Sequence, residues 1–550
     1  MRRCALPLAL VVLAAALRLL AFPTAHSPVA SDETGYLSDG LLVLEGMTPG
    51  YKFVPSGVLT WLVTLVAGGD ALRFWLAGDP AVASAAPLLK PVAAIESSLF
   101  RHYADLSTLR AIAAAAATAL GSLASGIAAA AVARRTGVVG ALSAGLLAAS
   151  LPILVELASE ARPYAFAWSL ALVALAVAQS AHPRRAVVSG VLIGLAVGTR
   201  IDMVLLGPVQ LLLLWRGGGP PWRDFGATIG AAALAFMVIA PWYLPHLPGN
   251  IRFILSVRLL DPNAENAAPA WLVMLTEGVA VPLALALAGM AVAAVRRQWT
   301  MAAAGVWLLL LAILAFKPSA FGLRHDGALV ITTIILAPHA ISALRESLRP
   351  THRQIAGIAL LVLATAPALV LGARHALSMR ERRIADGAVA WIERNVAAGT
   401  RVFVTDRDDV PLPTAAAADR LWADLSRPDA WKAKFRFGRE RFGIAGSELP
   451  RAMSEEHMYQ ERAIHRRFYV LGASREPARP RYDLWTVSNG SFFDVPLEKA
   501  VQRICDEGGV LLHTGTTIAG LPAPAASWPQ GPGGWGTRVY VVSAGSCRPG

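Results

Sequence analysis

Two adjacent carboxylates, Asp32 and Glu33, stand about ten residues beyond the first apolar segment of the chain. Ionisable groups so near a hydrocarbon layer are costly unless they stay hydrated or do chemistry. A carboxylate there can act as a general base, taking the proton of a hydroxyl as it attacks. The pair is also the one place for a divalent cation such as Mg or Mn, which prefers oxygen ligands. The plain structural alternative is helix capping by Ser31 or Asp32, with Glu33 in the first turn. Tyr36 and Asp39 follow closely.

Cationic residues recur where helices would end. Glu160-Ala161-Arg162-Pro163-Tyr164 reads as a short turn in which Arg162 can grip a phosphate through its planar fork of donors. Snorkelling at a helix end, with Pro163 opening the next helix, accounts for it equally well. Gly198-Thr199-Arg200-Ile201-Asp202 sets an Arg and an Asp inside a long apolar region, where they pair or line a polar cavity. Lys317 and Arg324-His325-Asp326 gather positive charge suited to stabilising a departing phosphate, or simply to contacting anionic lipid. Lys52, His102 and His246 are weaker candidates of the same kind, and no His has metal-ligand spacing.

Holding these groups falls to 550 residues that are 55% hydrophobic and 16% charged, with mean hydropathy +0.51. Soluble domains carry about 25% charged residues, so a membrane protein is indicated. Only six of the 50 basic residues are Lys. Many Arg fall between apolar runs, so the net charge of +13 reads as membrane topology and not as a nucleic-acid surface.

Residues 4–22 form a first helix, retained in preference to cleavage near Pro23–His26. In the long loop 23–107, residues 54–67 are too short for a crossing of about 20 residues, and 56–78 reads as helices lying in the interface. Ten further spans fall near 108–132, 138–157, 163–180, 186–199, 201–215, 225–243, 270–294, 300–316, 327–344 and 355–373. That makes about 11 crossings, with 186–215 readable as one broken unit. Alternate loops carry Arg2/Arg3, Arg134/Arg135, Arg184/Arg185, Arg216/Arg223, Arg296/Arg297 and Arg345/Arg349/Arg353. By the positive-inside rule these face the cytoplasm, which puts Asp32, Arg162, Arg324 and everything after residue 374 outside.

From about residue 381 the composition turns polar, and a helix with a Trp391-Ile392 face precedes a strand at 400–405. Further strands are expected at 467–472, 482–487, 509–513 and 537–543, with a helix at 495–507 stopped by Gly508-Gly509. This is a small α/β domain over 376–550, following a membrane domain over 1–375. In an oxidising compartment Cys505 and Cys547 are as readily a disulfide as two separate thiols.

There is no Walker-type phosphate loop, dinucleotide-binding glycine motif or nucleophile-elbow serine in a suitable context. An activated group must then arrive another way, and a membrane-soluble donor meets that need. The chain resembles the GT-C membrane glycosyltransferases that use polyprenyl-phosphate sugars. Within that class it is similar to the protein O-mannosyltransferase and aminoarabinose-transferase-like superfamily, of the family 39 kind. The matching pieces are Asp32-Glu33 with Tyr36, Gly46–Pro55, Arg162-Pro163-Tyr164, Gly194–Arg200, Ala240-Pro241-Trp242 and Arg324-His325, within residues 1–375.

The resemblance implies inverting transfer at the outer face of a bacterial inner membrane. Asp32 would be the base, with Glu33 supporting it or positioning the acceptor. Tyr36, Lys52, Arg162, Tyr164, Arg200, Arg324 and His325 would bind substrate or phosphate, Arg324 and Arg162 foremost. Some relatives depend on a divalent metal, for which Asp32 and Glu33 would be the ligands. Partners would be the lipid-linked donor, a glycan, lipid or protein acceptor, and membrane lipids. Residues 374–550 lack the look of the sugar-binding trefoil of the protein-mannosylating branch. Two other classes compete: a transporter or flippase for a lipid-linked or small anionic substrate, built on the broken 186–215 region, and a non-catalytic scaffold presenting the outer domain.

Overall fold

The computed structural model describes residues 2–22, 31–44, 46, 49, 56–78, 80–83, 85–104, 107–215, 221–247, 269–316, 322–382, 386–396, 401–404, 469–474, 495–529 and 536–547. The chain divides into two compact units. One comprises Met1–Phe22, Tyr51–Leu59 and Ala114–Ser378; the other comprises Pro23–Gly50, Thr60–Ala113 and Met379–Gly550. The sequence boundary at 375/376 falls inside a continuous helix, and much of the first loop groups with the C-terminal residues.

The helices in chain order are α1 (Arg2–Leu20), α2 (Ser31–Leu44), α3 (Gly57–Ala77), α4 (Pro80–Ala83), α5 (Lys90–Ala104), α6 (Ser107–Ser150), α7 (Pro152–Ala158), α8 (Pro163–Ala178) and α9 (Arg185–Thr199). There follow α10 (Gly207–Trp215), α11 (Pro221–Ile239), α12 (Ala270–Thr276), α13 (Ala280–Val295), α14 (Trp299–Ala315), α15 (Gly327–Ser347), α16 (Arg353–Arg382), α17 (Asp386–Asn395) and α18 (Leu497–Glu507). Among the described residues five helices are long and apolar enough to cross a membrane, or six if the pair α12–α13, bent by 101°, is one span. Five shorter apolar helices of 10–17 residues accompany them. The polytopic helical architecture is therefore present. Among the described residues the helices that pass on length are fewer than the expected eleven crossings, because several expected spans fall short of about 20 residues.

Two expectations are corrected. Residues 57–77 form one continuous helix of 21 residues, long enough to span, instead of short interfacial pieces. The expected span 138–157 is not one helix. A long helix, kinked at Gly137 where φ is 71°, ends at Ser150, and α7 starts afresh at Pro152. The 186–215 region is broken, as the sequence allowed: α9 stops at Thr199, Arg200 is extended, and a 3₁₀ turn over Ile201–Leu206 leads into α10.

In the first unit α8 and α15 are apolar nearly all round and buried along most of their length, the mark of central helices. They run parallel: Trp168 meets Gly327 near one end, and Gln179 Oε1 lies 2.9 Å from His339 Nε2 at the other. Helix α9 lies along α11 through Gly190, Gly194 and Gly198, where any Cβ would strike Thr228, Ala232 or Ile239. This is small-residue packing that lets two backbones close up.

In the second unit α2, α3 and α5 are tied by polar contacts. Thr64 Oγ1 donates to the Gly40 carbonyl at 2.8 Å, and Ser98 Oγ to the Ala67 carbonyl at 2.7 Å. The C-terminal residues supply a six-stranded sheet in the order β3-β2-β1-β4-β6-β5. Its strands are β1 (Arg401–Val404), β2 (Tyr469–Ser474), β3 (Val495–Pro496), β4 (Gly509–Gly515), β5 (Ala526–Pro529) and β6 (Gly536–Val542). The first four are parallel, and β6 and β5 close the edge antiparallel.

Helix α18 packs Ile504 against Leu511, Tyr540 and Val542, and ends at Gly508 with φ 77°. Cys505 and Cys547 form a disulfide. The expected strand 482–487 lies outside the described residues, whereas β3 and β5 were not expected. The first has only two residues, and the second, Ala526–Pro529, follows a Pro-rich run that reads as loop.

Candidate active site

Helix breaks bring five of the cationic and aromatic candidates together within the first unit. Arg162 is the N-cap of α8 and Pro163 its first residue, so Tyr164 sits in the first turn. Arg200 caps the C-terminus of α9. Arg324 and His325 occupy a 3₁₀ turn over Gly322–His325, and Asp326 is the N-cap of α15. Nearby, Thr199 Oγ1 accepts from the backbone N–H of Val58 at 3.3 Å, so the start of α3 rests on the end of α9.

Arg200 is buried, with one face of its guanidinium on an aromatic ring and two of its edge nitrogens engaged. Its Nε lies 3.1 Å from Asp202 Oδ1, its Cζ sits 4.0 Å from the Tyr164 ring centroid, and its Nη2 is 3.3 Å from His325 Nδ1. Tyr164 and His325 meet edge to face at 5.9 Å. Ion pairing, stacking on an aromatic face and a second hydrogen bond fix the cation where the N-termini of α8 and α15 also favour negative charge.

The neighbouring cations are balanced. Arg324 Nη2 donates to Glu156 of α7 and, at 3.0 Å, to Glu160. Burial works against its charge, but the Glu160 and Glu156 carboxylates outweigh that and hold its pKa above the usual arginine value. Arg162 lies 3.5 Å from Glu160, an ion pair, and His375 lies 3.6 Å from the other oxygen of Glu156. Arg200 is stacked on an aromatic ring with an imidazole nitrogen at its edge, and Arg324 is clamped between two carboxylates.

The acidic pair lies in the first turn of α2, in the second unit. Glu33 is fully buried and pairs through Oε1 with Arg110 Nε at 3.2 Å. Tyr36 and Asp39 are buried too, at the spacing that shares a face with Glu33. His102 Nε2 lies 2.9 Å from Asp70 Oδ2. The side chain of Asp32 lies outside the described residues, as do that of His246 and the whole of Lys52 and Lys317. Among the described residues no group of three or more His, Cys, Asp or Glu is placed to hold a metal ion.

Sequence reasoning missed Glu156, Arg110 and His375. Glu156 did carry a signal, a lone carboxylate inside the apolar run Pro152-Ile153-Leu154-Val155-Glu156.

No protein-family model and no curated protein matches the sequence. Among solved structures, ArnT from Cupriavidus metallidurans bound to undecaprenyl phosphate is similar over 99% of both chains, at 13% identity and a TM-score of 0.44. Its apo state gives a TM-score of 0.47 over the same shares. The Archaeoglobus fulgidus oligosaccharyltransferase AglB, in complex with an inhibitory peptide and a dolichol-phosphate, matches 73% of this chain and 62% of its own, at 13% identity and a TM-score of 0.40. The chain is thus similar to ArnT and AglB, which belong to the GT-C class that its sequence motifs resemble.

Proposed function

We propose that this protein is a membrane glycosyltransferase that moves a sugar from a polyprenyl-phosphate donor to a lipid, polysaccharide or other acceptor at the outer face of the inner membrane. The observation that supports it best is Arg200, stacked on Tyr164 and touching His325 at two helix N-termini among apolar helices. That chemistry suits an anionic headgroup on an apolar carrier. In the reaction Asp32 takes the proton of the acceptor hydroxyl while its oxygen attacks the anomeric carbon. The bond from that carbon to the phosphate oxygen breaks in the same step, so the configuration inverts. The polyprenyl phosphate leaves with the bonding electrons, and Arg200 with His325 stabilises its charge.

The donor class to assay first is a polyprenyl monophosphate sugar. Asp32→Asn is expected to leave a folded, membrane-inserted protein with no transfer, and full activity in that variant ends the base assignment. Transfer assayed with and without EDTA decides whether a divalent cation takes part. Lipid-linked glycan mass spectrometry of a deletion strain identifies donor and acceptor, through the lipid that accumulates and the glycan that is lost.

A second reading, a transporter or flippase, is favoured by the breaks at Arg200 and at Glu277–Val279, since discontinuous helices mark transport sites. Movement of a lipid-linked substrate across proteoliposomes without glycan transfer selects it.

A further inference from the structure

Arg324 makes a natural phosphate ligand from sequence, yet its charge is spent within the protein. Its Nη2 donates to both Glu156 and Glu160. Glu160 also pairs with Arg162 at 3.5 Å, and Glu156 faces His375 at 3.6 Å. Two cations of this ion-pair chain, Arg162 and Arg324, lead to the two walls of the Arg200 site. Arg162 is two residues before Tyr164, whose ring lies under the Arg200 guanidinium. Arg324 is followed directly by His325, whose Nδ1 touches Arg200 Nη2. The wall residues come from segments more than 150 residues apart, and the carboxylates of α7 and its following turn engage both.

We infer that Glu156 and Glu160 form a clamp that sets the Tyr164–Arg200–His325 geometry, with Glu156 a positioning residue acting through Arg324. Arg324 is then a positioning residue and not a phosphate ligand. The inference rests on the proposed glycosyl transfer only for its kinetic readout.

The physical basis is the cost of an unbalanced buried charge. With Glu156 removed, Arg324 keeps one carboxylate instead of two and is free to turn toward the anion site, carrying the His325 backbone with it. A group that positions others changes the rate of the chemical step more than ground-state binding.

The test uses the full-length protein in nanodiscs of phosphatidylethanolamine and phosphatidylglycerol. The variants are Glu156→Gln, Glu156→Asp, Arg324→Gln, His325→Ala and the pairs Glu156→Gln/Arg324→Gln and Glu156→Gln/His325→Ala. Binding of a synthetic polyprenyl monophosphate, transfer kinetics and thermal unfolding are followed for each. The clamp predicts a fall in kcat of about tenfold for Glu156→Gln and for Arg324→Gln, with probe affinity within about twofold of wild type. It also predicts partial rescue by Glu156→Asp and a double variant no worse than either single.

Loss of probe affinity by tenfold or more in Arg324→Gln, with Glu156→Gln unchanged or tighter, overturns it by placing Arg324 on the phosphate. Should wild type neither transfer nor bind the probe, the functional reading fails, and the clamp is judged on unfolding alone. There, non-additive shifts between Glu156→Gln and His325→Ala support it and additive shifts overturn it.

Discussion

The roles of single residues here follow from what each charge is paired with. Arg200 gains from a flat aromatic partner that an ammonium cannot replace, because Lys lacks the planar fork that stacks on Tyr164 while reaching Asp202 and His325. Arg200→Lys is therefore expected to lower kcat by about a hundredfold, the size of losing one donor to a developing anion, while Tyr164→Phe stays within a few fold; transfer kinetics check both. The acidic pair separates in the same way. Glu33→Gln leaves the buried Arg110 without its partner's charge and is expected to cost about 3 kcal/mol, seen as a lowered Tm in detergent. Asp32→Asn is expected to cost transfer and not stability. Arg200 and Asp202 were legible in the sequence because charges inside an apolar run need partners. Glu156 carried the same signal, but its role was not legible, since its partner Arg324 is 168 residues away and one carboxylate in a helix has many ordinary explanations.

At the level of elements, apolar length marks the helices but says little about where they break or touch. The 3₁₀ turn after Arg200 and the restart at Pro152 decide where the site forms; the charges of Arg200 and Asp202 mark the first in the sequence, whereas the second lies within the expected span 138–157. Contacts between helices are set by glycines whose importance only the packing shows. Gly327 opens α15 directly against the Trp168 indole of α8, where any Cβ would clash. Gly327→Ala is expected to push α15 off α8, lowering stability by about 1–3 kcal/mol and displacing His325 two residues away. Gly230 in α11 has no neighbour within 4 Å, so Gly230→Ala is expected to be neutral or to stabilise by up to about 1 kcal/mol. Thermal unfolding of the two variants side by side, with transfer measured on each, separates a packing glycine from a tolerated one.

For the molecule as a whole, two independent observations bear on which side of the membrane the C-terminal sheet occupies. By the positive-inside rule the alternation of Arg-rich loops is expected to put the tail opposite the cytoplasm. The disulfide between Cys505 and Cys547 suits an oxidising compartment, in agreement with that expectation. The bond ties the last turn of α18 to the segment after β6, where the Gly545 N–H also donates to the Cys505 carbonyl at 2.7 Å. It closes a loop of sequence separation 42, and for such a loop the chain-entropy argument gives about 4 kcal/mol of stabilisation. Cys505→Ser/Cys547→Ser is thus expected to lower the unfolding temperature of the sheet without unfolding the apolar helices, which keep their own packing. A maleimide added to intact spheroplasts should leave both sulfurs unmodified before reduction and label both after a membrane-impermeant reductant. Labelling without reductant contradicts the bond. Labelling that also requires permeabilisation keeps the bond but reverses the topology, and with it the placement of Asp32 on the outer face.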